Sequence, residues 1–347
     1  MQHNSLSLSR TDKRKRHIKH IVSFAVLFAL IACSNGVLFQ GTVSARTSSS
    51  NAYVSAADYY AEDPDAINDS SFQEIDGKIH LLNPTTGAYL PIVNAVDDLQ
   101  TSYQSQRTAA QIATPPPNRP ILSRGGVGYG FTYKTPFQTG FSTSTTIAHD
   151  IICPNSPGTG VTTDLYLTST NRASKGCEAL IWYNGNTTPA FWIYDWGPTG
   201  SASGFVFGLS YSDLVSRNFL ANATISGATR QVICVQNRTS LVSGSTWRNT
   251  VWVVDHRISA WVQVYTSIYT SSLAEQRSGF QYWGPIIETF QSSYSRTNVL
   301  GFSNSQLASD GGSFIHLSSS NSALRNDGVG FSQNFLNPNH TWGASAR

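Results

Sequence analysis

The sequence predicts an all-β protein whose main domain is a two-sheet antiparallel β-sandwich, or jelly roll. Short runs of β-branched and aromatic residues recur through residues 119–347, separated by Gly, Asn, Ser and Pro. No strand–helix–strand alternation and no glycine-rich nucleotide motif occurs, which excludes the nucleotide-binding α/β folds. No internal repeat of fixed period is present either, so the pattern excludes a propeller or a solenoid.

Residues 1–45 have the pattern of an export leader. A basic cluster around Lys13–Arg16 precedes an apolar run from Ile21 to Ala32, which is shorter than the roughly 20 residues of a membrane-spanning helix. Two cleavage sites fit: a lipobox ending at Cys33, which would be lipidated and anchor the protein to a membrane, and the small residues before Arg46. We therefore expect a secreted or cell-surface protein.

The charge distribution argues against a nucleic-acid partner. The chain has 23 basic and 20 acidic residues, but the leader holds six of the basic residues and one acid, so residues 46–347 carry 17 − 19 = −2. A nucleic-acid-binding protein needs a basic surface. No cofactor motif and no CxxC zinc motif is present, and we predict neither a cofactor nor a metal. In an exported protein, one disulfide among Cys153, Cys177 and Cys234 is favoured.

Residues 46–118 form a separate region before the sandwich. Residues 46–75 have the composition of a tether. The apolar runs on either side of residues 83–87 predict a hairpin. Helical spacing of apolar residues predicts a short helix within residues 94–113, and Pro115–Pro117 would end it. We place the domain boundary at residue 118 and the sandwich at residues 119–347.

Two glutamates stand inside apolar strand-like runs of the predicted sandwich. The two-residue period of a strand places Glu178 on one face with Leu180 and Trp182, and Glu288 on one face with Ile286. A carboxylate on a half-buried strand costs several kcal/mol unless it is paired, hydrogen-bonded or neutralised. The alternative to a functional role is that each is a rim residue or the partner of a buried Arg.

Glycoside hydrolysis would explain a pair of such acids. One carboxyl protonates the leaving oxygen, while a second attacks the sugar or activates water. Aromatic side chains on the same sheet would stack on sugar rings. The candidate substrate-binding residues are Trp182, Trp192, Trp283 and Tyr194.

Three segments resemble glycoside hydrolase family 12, the small concanavalin-like endoglucanases and xyloglucanases. Asp164-Leu165-Tyr166 and the segment from Glu178 to Tyr183 are similar to that family's Asp-Leu-Phe strand and Glu-x-Met-Ile-Trp-Leu strand, and Glu288-Thr289-Phe290 is similar to its Glu-x-Phe strand. The resemblance implies Glu178 as nucleophile, Glu288 as acid/base and Asp164 as the carboxyl that tunes Glu178. It also implies a retaining mechanism and a β-glucan-type polysaccharide substrate.

Two other functions fit the same sequence. A non-catalytic carbohydrate-binding or adhesion domain would use the same aromatic residues without the acids. A polysaccharide lyase would use His256 and a tyrosine. Other polar positions have simpler explanations: Asp195 and the cluster Asp255-His256-Arg257 are expected to form turns.

Overall fold

Two antiparallel sheets dominate the computed structural model. It describes residues 52–94, 127–133, 142–155, 165–172, 175–183, 188–197, 204–278, 284–289, 300–326, 331–337 and 341–346. The chain divides into two units, residues 1–47 and 48–347, and every described residue belongs to the second. The predicted all-β, two-sheet fold is confirmed. None of the described helices is long and apolar enough to cross a membrane.

The described elements are predominantly strands. In chain order they are α1 (Ala56–Glu62), a 3-10 helix (Pro64–Asn68), β1 (Phe72–Ile75), β2 (Lys78–Asn83), β3 (Ala88–Asn94), β4 (Val127–Tyr133), β5 (Ser144–Ile152), β6 (Leu165–Arg172), β7 (Gly176–Tyr183), β8 (Ala190–Asp195), β9 (Gly204–Leu209), α2 (Tyr211–Ser216), β10 (Leu220–Ile225), β11 (Ala228–Ser243), β12 (Thr246–Asp255), β13 (Ala260–Thr270), α3 (Leu273–Ser278), β14 (Gly284–Thr289), β15 (Leu300–Ser309), β16 (Ile315–His316), β17 (Ser322–Asn326), β18 (Phe331–Asn337) and β19 (Thr341–Ala346).

These strands form a large and a small sheet. The large sheet has the order β1-β2-β3-β13-β12-β11-β5-β15-β19-β18, with β10 added beside β11 and β16 beside β15. The small sheet has the order β17-β4-β14-β6-β7-β8-β9. All pairings are antiparallel except β3 with β13, which is parallel.

The main core lies between the inner faces of the two sheets. Alternate residues of β7, among them Cys177, Ala179 and Ile181, point into this core together with Val235 and Val253 of the large sheet. The other faces carry buried side chains as well. One apolar cluster lies on the outer face of the large sheet, and another lies on the outer face of the small sheet.

The N-terminal segment, defined as residues 52–94, adds β1, β2 and β3 to the edge of the large sheet beside β13, and it packs on the outer face of the strands that follow. Its hairpin of β2 and β3 forms as the sequence predicts. The stretch expected to be a tether instead contains α1 and the 3-10 helix, because Tyr59 and Phe72 are apolar enough to be buried against Trp252. Ser55 caps α1 by accepting a hydrogen bond from the backbone N–H of Asp58.

The three cysteines of the sandwich are free, buried thiols, contrary to the disulfide expected for an exported protein. The Cys177 thiol donates to Asn237 Oδ1 at 3.3 Å, and Asn237 Nδ2 donates back to the Cys177 carbonyl at 3.0 Å. These two bonds join the small sheet to the large sheet. Burial raises the pKa of the Cys153 thiol to about 12, so this cysteine behaves as a core residue.

Several sequence predictions fall outside the described residues. They are the leader with Cys33, the helix expected within residues 94–113, the proline spacer that follows it, Asp164 and Trp283. The boundary at residue 118 and the export of the chain therefore stay predictions.

Candidate functional site

The outer face of the small sheet brings together most of the aromatic residues that the sequence singled out. We call it the aromatic face, and its members are Tyr166, Leu180, Trp182, Trp192, Tyr194, Trp196 and Phe205. Strand register arranges the face in three rows that cross β6, β7 and β8. The rows are Tyr166–Trp182–Ala190, Thr168–Leu180–Trp192 and Thr170–Glu178–Tyr194.

The rings contact one another across the strands. Tyr166 and Trp182 are nearly parallel, with centroids 6.2 Å apart, and Trp182 meets Trp192 edge to face at 6.1 Å. Trp192 and Tyr194 each contact Phe205 edge to face, at 5.5 and 4.9 Å. Offset and edge-to-face pairs of this kind are each worth about 0.5–1.5 kcal/mol beyond area burial. The face is therefore a continuous, rigid aromatic surface.

Glu178 lies within this surface rather than at its rim. It is 4% exposed, directly opposite Tyr194 on β8 and two residues from Leu180 on its own strand. Leu180 is fully buried and Tyr194 is 3% exposed. Burying a carboxyl group among apolar side chains is costly. The structure places Glu178 on the aromatic face with Leu180 and Trp182, as the strand period predicts.

The Trp192 indole rests on the backbone of Gly208 in β9. A Cβ added at Gly208 would lie 2.5–2.9 Å from three carbons of the Trp192 ring, so no other residue fits there without moving the indole. Among the described residues, Trp192 Nε1 has no hydrogen-bond acceptor, although the side chain is only 9% exposed. The face consequently offers a fixed, unsatisfied N–H donor one strand and one row away from Glu178.

The structure brings three of the four predicted substrate-binding residues, Trp182, Trp192 and Tyr194, onto one surface beside Glu178. The predicted partner acid, Glu288, occupies β14, two strands from Glu178, and pairs with Tyr166, whereas Glu178 pairs with Thr170. Strand spacing and rise place their two Cα atoms about 16 Å apart. The sequence analysis missed Tyr166 and Phe205 as members of the face, although Tyr166 follows from the two-residue period of its strand.

Other polar candidates have structural roles. Asp195 accepts from the Gly197 backbone N–H at 2.9 Å and from the Tyr265 hydroxyl at 2.8 Å, so it forms the expected turn and joins the sheets. Asp255 accepts from the backbone N–H of Arg257 at 2.9 Å, which confirms the expected turn there. Among the described residues, no group of three or more His, Cys, Asp or Glu side chains is placed to hold a metal ion.

Comparisons with known proteins give structural neighbours but no family. No protein-family model and no curated protein matches the chain. Two crystal structures of scytalido-glutamic peptidase with transition-state analogues, one of them peptide-based, are 10% identical, with TM-scores of 0.36 and 0.37. They match 65% and 64% of this chain and 99% and 98% of their own. SCP-B, a member of the Eqolisin family of peptidases in complex with the tripeptide Ala-Ile-His, is 10% identical over 65% of this chain and 99% of its own, with a TM-score of 0.35.

The predicted glycoside hydrolase and carbohydrate-binding functions are wrong, since these neighbours are peptidases. The resemblance to glycoside hydrolase family 12 holds only at the level of a β-sandwich. His256, the candidate of the lyase alternative, follows β12 of the large sheet, away from the aromatic face.

Proposed function

We propose that the aromatic face binds an extended peptide segment with apolar side chains. The observation that carries this proposal is the presence of a buried carboxyl group, Glu178, and a buried indole N–H, Trp192 Nε1, on one surface rich in aromatic rings. An extended peptide presents both backbone N–H donors and C=O acceptors, and its apolar side chains match the rings. Glu178 would accept from a peptide N–H, and Trp192 would donate to a peptide carbonyl.

The spacing of the two groups fits such a ligand. Glu178 and Trp192 lie on neighbouring strands and are two residues apart in register, which places their Cα atoms about 8 Å from each other. This distance corresponds to two or three residues of extended chain. Five side chains of the face, Tyr166, Leu180, Trp182, Trp192 and Tyr194, are only 0–9% exposed, so a peptide would reach them only after a local opening, and association should be slow.

Hydrolysis of the bound peptide is a second candidate function, and the position of Glu178 favours it. A carboxylate beside the scissile bond can take a proton from water as the water adds to the peptide carbonyl, and the resulting carboxylic acid can give that proton to the leaving amine. The C–N bond then breaks, and water supplies the new acid oxygen. Among the side chains of this face that the structure describes, Glu178 is an acid that could perform both transfers.

Binding can be tested by fluorescence anisotropy with a fluorescein-labelled decapeptide of alternating leucine and threonine. Trp192→Phe keeps a ring and removes the N–H, so we expect the Kd to rise about 2- to 10-fold, the effect of one neutral hydrogen bond. Glu178→Gln should weaken binding by a similar factor or more. Glu275→Gln makes the same change at an exposed glutamate of α3 and should leave the Kd unchanged.

Absence of peptide binding by the wild-type protein, or equal binding by all three variants, would contradict the proposal. Mass spectrometry of the same mixtures tests the second candidate. Fragments released by the wild type and by Glu275→Gln, but not by Glu178→Gln, would assign hydrolysis to Glu178.

A further inference from the structure

The outer face of the large sheet holds an extended segment of the same chain, the N-terminal segment. Side chains from three strands donate to backbone carbonyls of the N-terminal segment. Trp261 Nε1 donates to Leu81 O at 3.1 Å, and Gln236 Nε2 donates to Leu82 O at 2.6 Å. Gln306 Nε2 donates to Pro84 O at 3.1 Å. Three side chains of the sheet thus bind the main chain of a four-residue stretch.

A buried charge cluster adds electrostatic specificity. Arg238, which is 1% exposed, contacts Asp63 through Nε at 3.1 Å and contacts Asp69 through a second nitrogen. Ser240 also donates to Asp63, at 3.0 Å. Burial lowers the pKa of Arg238, but the Asp63 and Asp69 carboxylates more than offset this and raise it above its ordinary value. Both acids belong to the N-terminal segment, whereas Arg238 and Ser240 belong to β11.

Apolar packing completes the contact. Tyr59, Phe72 and Leu81 of the segment are buried with Trp252 and Trp261 of the sheet. The Arg238 guanidinium also lies over the Phe72 ring, 5.0 Å from its centroid. The combination of aromatic anchors, a desolvated charge cluster and directed hydrogen bonds is typical of a specific binding interface.

Direct strand pairing contributes little of this contact. The parallel ladder between β3 and β13 contains three residue pairs, Trp261 with Ile92 to Gln263 with Asn94. The covalent link between the segment and the rest of the sandwich runs through residues 95–126. Side chains, rather than a shared ladder, therefore hold the segment on the face.

We propose that the outer face of the large sheet is a recognition surface for residues 52–94, which bind it as a ligand would and stay bound when the link is cut. The required partner is a segment with two correctly spaced acidic residues and an extended, apolar hairpin. This surface is separate from the aromatic face, which lies on the other sheet, so either proposal can fail without the other.

A protease site inserted between residues 95 and 126 of the full chain tests this proposal. After cleavage at about 10 µM protein, we expect size-exclusion chromatography and native mass spectrometry to show a one-to-one complex of segment and sandwich. The double substitution Asp63→Asn and Asp69→Asn leaves the buried Arg238 charge uncompensated and should weaken the complex at least 100-fold. Arg248→Met is the control, because the ion pair of Arg248 is a long one, 3.7 Å, to the exposed Glu62, and the substitution should change the Kd less than about 3-fold.

Two results would overturn the proposal. One is release of the wild-type segment after cleavage while the remaining sandwich keeps its near-ultraviolet circular dichroism. The other is that the sandwich loses its near-ultraviolet circular dichroism after cleavage and does not regain it when an excess of synthetic peptide 52–94 is added. In that case the segment would be part of the folding core rather than a ligand. Restoration by the wild-type peptide but not by the doubly substituted peptide supports the proposal even where the substituted chain fails to fold.

Discussion

At the scale of single residues, the aromatic face depends on the absence of a side chain as much as on the rings. Gly208 gives the Trp192 indole a flat backbone surface on which to rest, and the indole in turn contacts Trp182 and Phe205. The position of the Trp192 N–H relative to Glu178 is therefore set by packing. A residue without chemistry of its own fixes the geometry of the proposed site.

Replacing Gly208 with Ala tests this arrangement. The added methyl group would lie within 3 Å of the indole, so Trp192 must move. We therefore expect the free energy of unfolding to fall by about 1–3 kcal/mol and the near-ultraviolet circular dichroism spectrum to change. Gly204→Ala is the matched control on the same strand, because a Cβ there meets nothing within 4 Å. Urea unfolding of both variants measures the difference. Equal stability of the two would show that Trp192 is not held by Gly208.

At the scale of elements, short polar contacts hold the ends of long strands in place. Asp310, just after β15, accepts hydrogen bonds from the backbone N–H groups of Ser142, Thr143 and Ser144 at 2.7–3.1 Å. These groups precede and begin β5, the central strand between β11 and β15. A carboxylate that accepts several N–H bonds is satisfied without a metal ion. From the sequence, Asp310 is recognisable only as a turn-forming residue, and its bonds to the start of β5 are not predictable.

Asp310→Ala should release the start of β5. Leaving three backbone donors without their acceptor costs about 1–3 kcal/mol each where they are buried, and less where water replaces it. We therefore expect a loss of about 2–3 kcal/mol and faster amide exchange at Ser142–Ser144. Asp76→Ala is the control, because Asp76 is exposed and has φ 50°, close to the 49° of Asp310, so it carries the same backbone penalty. A loss no larger than that of the control would contradict the role of the Asp310 carboxylate.

At the scale of the whole molecule, buried ionisable groups make the stability of the sandwich depend on pH. His149 lies in the core, with Nδ1 2.9 Å from Ser305 Oγ and its ring edge to face with Phe302. Burial lowers its pKa from 6.5 to about 3. Between these two values the unfolded chain binds more protons than the folded chain, so the free energy of unfolding falls as the pH falls. The neighbouring Asp150, whose pKa burial raises, acts in the opposite direction above its ordinary pKa.

Urea unfolding between about pH 7 and pH 3.5 measures this dependence. The lowering of the His149 pKa from 6.5 to about 3 corresponds to a loss of order 4–5 kcal/mol in the free energy of unfolding when the pH falls across that whole range. His149→Asn keeps a hydrogen-bonding group and does not titrate, so its stability should fall much less on acidification. His80→Asn, a substitution in the N-terminal segment, should retain the wild-type slope. Parallel slopes for wild type and His149→Asn would show that His149 does not contribute.

The whole molecule also differs from a simple sandwich because both outer faces carry buried residues. The large sheet is covered by the N-terminal segment, whose acids neutralise Arg238. The small sheet carries the aromatic face, most of whose rings are buried. A β-sandwich with two polar outer faces would need neither a covering segment nor a cluster of buried rings on the outside of a sheet. The two surfaces are the structural basis of the two proposals made above.

The sequence by itself determined the all-β class, the hairpin of β2 and β3, and the faces of individual strands. Alternation with a period of two is a local property, so Glu178, Leu180 and Trp182 could be placed on one face before any pairing was known. The sequence alone could not predict the register between strands. Only the tertiary structure decided that Glu288 pairs with Tyr166 while Glu178 pairs with Thr170, because register depends on contacts between residues far apart in sequence.

The same reason explains the segment that the sequence treated as a tether. Its composition is polar, and its few apolar residues gain stability only where Trp252 and Trp261 offer a surface to pack on. Asp63 and Asp69 resemble ordinary surface acids until folding brings Arg238, 169 or more positions further along the chain, between them. Local patterns determine which residues can be buried, and only long-range contacts decide which of them are buried together.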